Sequence, residues 1–277
     1  PFTSELFGVP IKTAEVTPLF DYINQQALSD DPLILVGFDS QHTGGISNQG
    51  LVDALTLAVV ELTGGINHFT QWPNFAEQIQ QVLNVNKSRL NFEQEALFFK
   101  QLVKLQQIFK TDNQFKLHNS AFWHRITVGL EAQAKRQWGI ADSRSKEMGE
   151  NIKYWAEQYP DKKIVVWAHT WHLTRDGNYQ VNAGQVVADT YGEKYFMVHF
   201  TGAEGEYLDF VTMKNKKIIM KDNNMIEKSL NTNMAAGIGF INLRELDQSD
   251  SQVLNNPSLI FANDYQQTLP IKESAKF

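Results

Sequence analysis

Two histidines three positions apart, His169 and His172, close the apolar run Ile164–Trp167 in the stretch KIVVWAHTWHLTRDG (163–177). Imidazole titrates near neutral pH, so either ring is a candidate general base or acid toward water. On a helix both rings would share a face and could hold one divalent ion. On a strand they would point to opposite faces unless the chain turns at Thr170. Loop histidines bonded to the backbone are the bland alternative. A second polar cluster, Asp39-Ser40-Gln41-His42, ends the apolar run LILVGF (33–38). Asp39 can orient an imidazole or bind a substrate hydroxyl, and Gln41 can donate as well as accept. An Asx-turn closing the run is the ordinary use of such an aspartate. His42 leads into Thr43-Gly44-Gly45, which lacks the Gly-Lys-Ser/Thr of a phosphate-binding loop. Arg144 heads a helical stretch and can clamp a carboxylate or an oxyanion. Pairing with Asp142 or Glu147 is the simpler role for it. His68, His118 and His124 lack partners in sequence, and His199, inside YFMVHF, reads as a core histidine. No GxSxG elbow is present, so a serine mechanism has no nucleophile signature.

These residues need elements to position them. Thr17–Gln26 opens with Thr-Pro and carries Phe20 and Ile23 at helical spacing. Leu51–Leu62 reads as a helix stopped by Gly64-Gly65. Phe92–Phe109 is helical by period, with Phe92, Ala96, Phe99, Leu102, Val103 and Gln106 on one face. Ser120–Trp138 starts with a capping-type serine and ends at Gly139. Lys146–Tyr159 carries Met148, Ile152, Trp155 and Tyr159 as a stripe and closes at Pro160. A further helix lies around Gln185–Tyr191. Three apolar runs, 33–38, 163–168 and 195–200, read as buried strands. Strands alternating with helices predict an α/β fold with a mainly parallel sheet flanked by helices. The chain is then a single α/β domain over 1–277, with a helical insertion between strands at about 51–158. In such sheets working residues collect beyond the carboxyl ends of strands, where both polar clusters fall.

Composition narrows the partners. With 277 residues, 42% hydrophobic and 20% charged, the chain is ordinary for a globular protein. A net charge of −6 argues against nucleic acid, and the local run Lys214, Lys216, Lys217 reads as a solvated turn rather than a phosphate grip. The absence of cysteine removes disulfides, thiolate nucleophiles and Cys-based zinc sites. No apolar stretch approaches the roughly 20 residues that span a bilayer. No signal peptide is visible, so a cytoplasmic or an exported, processed protein is equally expected.

Three stretches together resemble the erythromycin esterase-like family, some of whose members are labelled succinoglycan biosynthesis proteins. LVGFDSQ (35–41) is similar to its GFDxQ run end, RSKEMGENIKYW (144–155) to its RDxxMAxNxxW helix start, and KIVVWAHTWH (163–172) to its KIVVWAHNxH motif. YGEKYFMVHFTGAEGEY (191–207) resembles its YGxxYxxIGFxxxxG stretch. The resemblance implies hydrolysis of an ester or lactone by water, without a resident cofactor, and sets antibiotic lactones among the substrates to expect. It implies His169, the first choice as base, and His172 as the catalytic imidazoles. Arg144, Asp39, Gln41, His42 and Trp171 are the substrate-binding set it implies. The family's Gly-Glu-x-x-His-Gly motif is not found, Ser145 stands where the family has Asp, and Thr170 where it has Asn. The chain therefore resembles the central and C-terminal portion of such a protein. Two alternatives accompany the esterase expectation: a non-catalytic small-molecule-binding homologue, and a hydrolase with a divalent metal on His169 and His172.

Overall fold

A computed structural model describes residues 14, 16–66, 69, 71–84, 88–110, 119–175, 181–209, 212, 214–220, 223, 225–228, 239–242, 245, 257–261 and 266–270. His68 and His118 lie outside them. The chain divides into two compact units, Pro1–Asn151 and Ile152–Phe277.

The first unit is built from helices. In chain order they are α1 (Thr17–Gln26), α2 (Gly45–Thr63), α3 (Trp72–Leu83), α4 (Phe92–Ile108), α5 (Ser120–Gln137) and the start of α6 (Arg144–Gln158). Their ends follow from local chemistry. Gly64 stops α2 at φ +69°, and Gly139 follows α5 at φ +68°, a backbone region where a Cβ is strained. Asn91 opens α4 with a capping box: its side chain accepts from Gln94 N at 2.9 Å, and Gln94 Oε1 accepts from Asn91 N at 3.1 Å. Asn119, one residue before the serine expected to cap α5, accepts from Phe122 N at 2.9 Å.

Helix α3 lies outside the helices expected above, although Trp72, Phe75, Ile79, Val82 and Leu83 recur at helical spacing around Pro73. All five side chains are buried, each worth about 1.5–3 kcal/mol relative to exposure. Phe69, Trp72, Phe75, Phe98 and Trp138 form a continuous aromatic chain through this core, with ring centroids 5.4–5.7 Å apart. The face expected for α4 needs correction. Phe92 is 85% exposed and Val103 46%, whereas Glu95, Phe98, Leu102 and Leu105 are buried. Leu102 belongs to both the expected and the observed face; the remainder of the buried stripe runs through Glu95, Phe98 and Leu105, with the Glu95 carboxylate satisfied by Arg89, whose Nη2 donates to Oε2 at 3.0 Å.

The second unit holds the remainder of α6, the short helix α7 (Thr170–Leu173), α8 (Ala183–Tyr191) and a 3-10 turn at Gly192–Lys194. Two antiparallel hairpins follow: β1 (Glu206–Asp209) with β2 (Lys214–Lys217), and β3 (Pro257–Phe261) with β4 (Gln266–Pro270). Glu206 faces Lys217, and Pro257 faces Pro270.

The expected α/β fold with a mainly parallel sheet is therefore overturned: the described residues are predominantly helical, and their sheets are two local antiparallel pairs. Runs 33–38, 163–168 and 195–200 are assigned to no strand. Apolar, β-branched sequence favours an extended backbone, but a strand exists only where a neighbour supplies the ladder in register. Instead these runs keep large apolar side chains toward solvent, among them Leu33, Ile34, Val165, Trp167, Phe196 and Phe200. The helices expected as an insertion are themselves the core of the first unit. No helix among the described residues is long and apolar enough to cross a membrane.

Candidate functional site

The expected residues fall into two groups, one in each unit. In the first, the loop following Phe38 lies against α5 and α6 and is tied down at every step. Arg144 forks onto Asp39, with Nε to Oδ1 at 2.9 Å and Nη2 to Oδ2 at 2.5 Å. The carboxylate raises the guanidinium pKa by this hydrogen-bonded pairing, against the cost of burial. Asp39 Oδ1 also accepts from Gln41 N at 3.0 Å, the Asx-turn anticipated from sequence. Ser40 Oγ donates to the Arg144 carbonyl at 3.1 Å. Gln41 takes a hydrogen bond from Arg136 on α5 and donates to Thr43 Oγ1 at 3.1 Å. Asn151 Nδ2 donates to Phe38 O at 3.0 Å, while Arg125 donates to Asn151 Oδ1 at 2.8 Å and to Glu147 Oε2 at 2.7 Å.

His42 is the member of this group with the most perturbed environment. Its main-chain N–H donates to Gln133 Oε1 at 2.7 Å, and Gln133 in turn donates to Val82 O at 2.7 Å. The residue as a whole is half-buried, but Nε2 is sealed from solvent and has no hydrogen-bond partner among the described residues. Burial holds the imidazole neutral, its pKa lowered to about 4 despite the Asp39 charge and a hydrogen bond to the Ile126 backbone, which both raise it. The ring fits against α5 at Gly129, where a Cβ would stand 2.5 Å from Nε2. Such a sealed, neutral ring can shape a cleft wall; proton transfer with solvent is closed to it in this arrangement.

In the second unit, the chain does turn at Thr170. His169 is extended (φ −62°, ψ 136°) and caps α7, its Nδ1 accepting the Trp171 amide hydrogen at 3.1 Å. His172 N donates to His169 O at 2.9 Å, so both histidines sit on one tight turn. Four neighbours hold that turn. Thr170 Oγ1 and His199 Nδ1 share a hydrogen bond at 2.8 Å. Tyr195 Oη donates to Leu173 O at 2.5 Å. Burial raises the phenol pKa to about 12, the nearby Arg175 cation opposing. Asn182 caps α8 through Oδ1 and uses Nδ2 on Thr174 Oγ1 at 2.7 Å and Trp171 O at 3.3 Å. Gly184 lets α8 press against the turn: a Cβ there would meet Leu173 O at 2.0 Å and Leu173 C at 2.2 Å.

His169 is exposed while Trp171 and His172 are half-buried, so the turn offers imidazole to a solvent-side ligand. Among the described residues, no three His, Asp or Glu side chains are grouped to hold a metal ion. His199, expected as a core histidine, belongs to this turn. The signal available in the sequence was position alone: Tyr195 and His199, four residues apart in an extended run, fall on one side of it. Asn182 and Gly184 carried no signal beyond an ordinary helix start.

A family model described as Erythromycin esterase matches residues 8–271. The Bacillus subtilis (strain 168) protein described as "Putative hydrolase YbfO" is 23% identical over 188 residues, 59% of this chain and 41% of that protein. The chain thus spans well under half the length of this curated relative. No solved structure matches it.

Proposed function

We propose, from the premise that this chain belongs to the erythromycin esterase family, that it is a hydrolase cleaving an ester or lactone with water, and that the 169–172 turn supplies the working imidazoles. The observation that carries this reading is the clamped turn presenting His169 at the solvent side. A buried or loosely tethered histidine would lack either access or aim, and catalysis by a positioned side chain requires both. The hydrolase description of the B. subtilis relative agrees in reaction class. The test is turnover of a panel of simple esters and macrolactones by the full-length protein. His169→Ala and His172→Ala are each expected to lower kcat/KM by about 10²–10⁴-fold, while His169→Ala, which removes the α7 cap, costs only about 0.5–2 kcal/mol of stability. Unchanged turnover in both variants overturns the role of the turn.

A second reading, a non-catalytic small-molecule-binding member of the family, is favoured by the Asp39–Arg144 fork. Two of the five groups expected to grip substrate already satisfy each other, and Ser145 and Thr170 stand where the family has Asp and Asn. Calorimetric binding of an ester or lactone that remains intact over many hours decides for it.

A further inference from the structure

The capped turn also constrains which nitrogen of His169 carries hydrogen. Resting on the hydrolase reading, we propose that His169 acts as a hydrogen-bond donor through Nε2–H, polarising the substrate carbonyl and holding its oxyanion, and that the base deprotonating water is another group. The Trp171 amide points its hydrogen at Nδ1 at 3.1 Å. A ring nitrogen receiving an N–H presents its lone pair there, so neutral imidazole carries its one hydrogen on Nε2. Taking a proton at Nε2 would require the opposite tautomer, with Nδ1–H aimed at the Trp171 N–H and two hydrogens on one line. Taking it at Nδ1 would break the cap. The amide that imposes this choice is itself held. The Trp171 carbonyl accepts from Asn182, His172 N closes the turn onto His169 O, and Thr170 is tied to His199.

The chemistry then divides between two groups. Water oxygen bonds to the acyl carbon as the carbonyl π pair moves onto its oxygen, where Nε2–H donates. The water proton passes to a separate base, for which His172 in the same turn is the candidate, and from it to the departing alkoxide as the oxyanion pair re-forms the carbonyl and the acyl–oxygen bond breaks. His169 keeps its proton throughout.

Two measurements test this. Long-range proton–nitrogen correlation spectra of 15N-labelled protein at neutral pH, with the His169 signals assigned by their loss in His169→Gln, report the tautomer directly. Protonated Nε2 with bare Nδ1 is expected; a dominant Nδ1–H form overturns the proposal. Kinetics supply the second arm. Gln places an amide N–H near the position of Nε2–H, whereas Asn preserves an acceptor for the Trp171 amide but no distal donor. His169→Gln is expected within about tenfold of wild-type kcat, and His169→Asn and His169→Ala lower by about 10²–10³-fold. Gln as inactive as Ala sinks the donor role. Wild-type protein inert toward every ester and lactone removes the hydrolase reading and the catalytic role with it, while the tautomer spectrum stands or falls independently.

Discussion

At His42 a sealed imidazole couples stability to pH. Its folded pKa of about 4 lies below the 6.5 of an ordinary imidazole. The unfolded chain therefore takes up a proton first as pH falls. The contribution is fully present above pH 6.5 and is lost between 6.5 and about 4, where both states become protonated. Its ceiling is about 3 kcal/mol. Urea unfolding at pH 7 and pH 5 checks this: wild type should weaken at pH 5, and His42→Gln should remove that part of the difference. Asp39 and Arg144 give a second expectation at this scale. The pair is forked but about one-third exposed, so a double-mutant cycle of Asp39→Asn with Arg144→Lys should give a coupling of only about 1–2 kcal/mol. A coupling near zero would mean that Asp39 is held by Gln41 and the loop alone. These same residues show where sequence was informative. Asp39, Gln41, His42 and Arg144 were picked out from type and spacing, and the structure does bring them together. Which of them would neutralise one another was not readable, because Arg144 lies 105 positions from Asp39.

At the level of elements, α1, α2, α4, α5, α6 and α8 were legible, most of them because their ends are chemical, whereas α3 and α7 were not. Pro18, Gly64 and Gly139 mark boundaries whatever the tertiary context. The strands were not, because Leu33–Phe38 and Tyr195–Phe200 specify an extended backbone but not a partner. Interior glycines were equally opaque, and two of them govern close packing. Gly129 in α5 would normally gain about 1 kcal/mol on replacement by Ala. Here the added Cβ must displace the His42 ring, so Gly129→Ala should destabilise the protein by about 1–3 kcal/mol, measured by thermal melting. Gly184→Ala should cost about 3 kcal/mol or more. The obstacle there is Leu173 backbone instead of a movable side chain. In either case a melting temperature at or above wild type overturns the packing argument.

For the whole molecule, exposed apolar runs set solution behaviour. Val165 is 94% exposed and Phe200 85%, in runs whose β-branched and aromatic content favours edge pairing between chains. Dynamic light scattering should show self-association of the isolated chain rising with concentration. Val165→Lys and Phe200→Lys should reduce it with little change in melting temperature, since neither side chain is packed. Undiminished association in both variants would place the sticky surface elsewhere. The close approach of α8 to the histidine turn has a different consequence, visible in a deep mutational scan. Selected for cellular abundance alone, a library should lose almost every substitution at position 184 while tolerating most at 169. Selected for hydrolysis, it should lose both. The difference between the two depletion maps would separate residues that build the turn from those that work in it, without purifying a single variant.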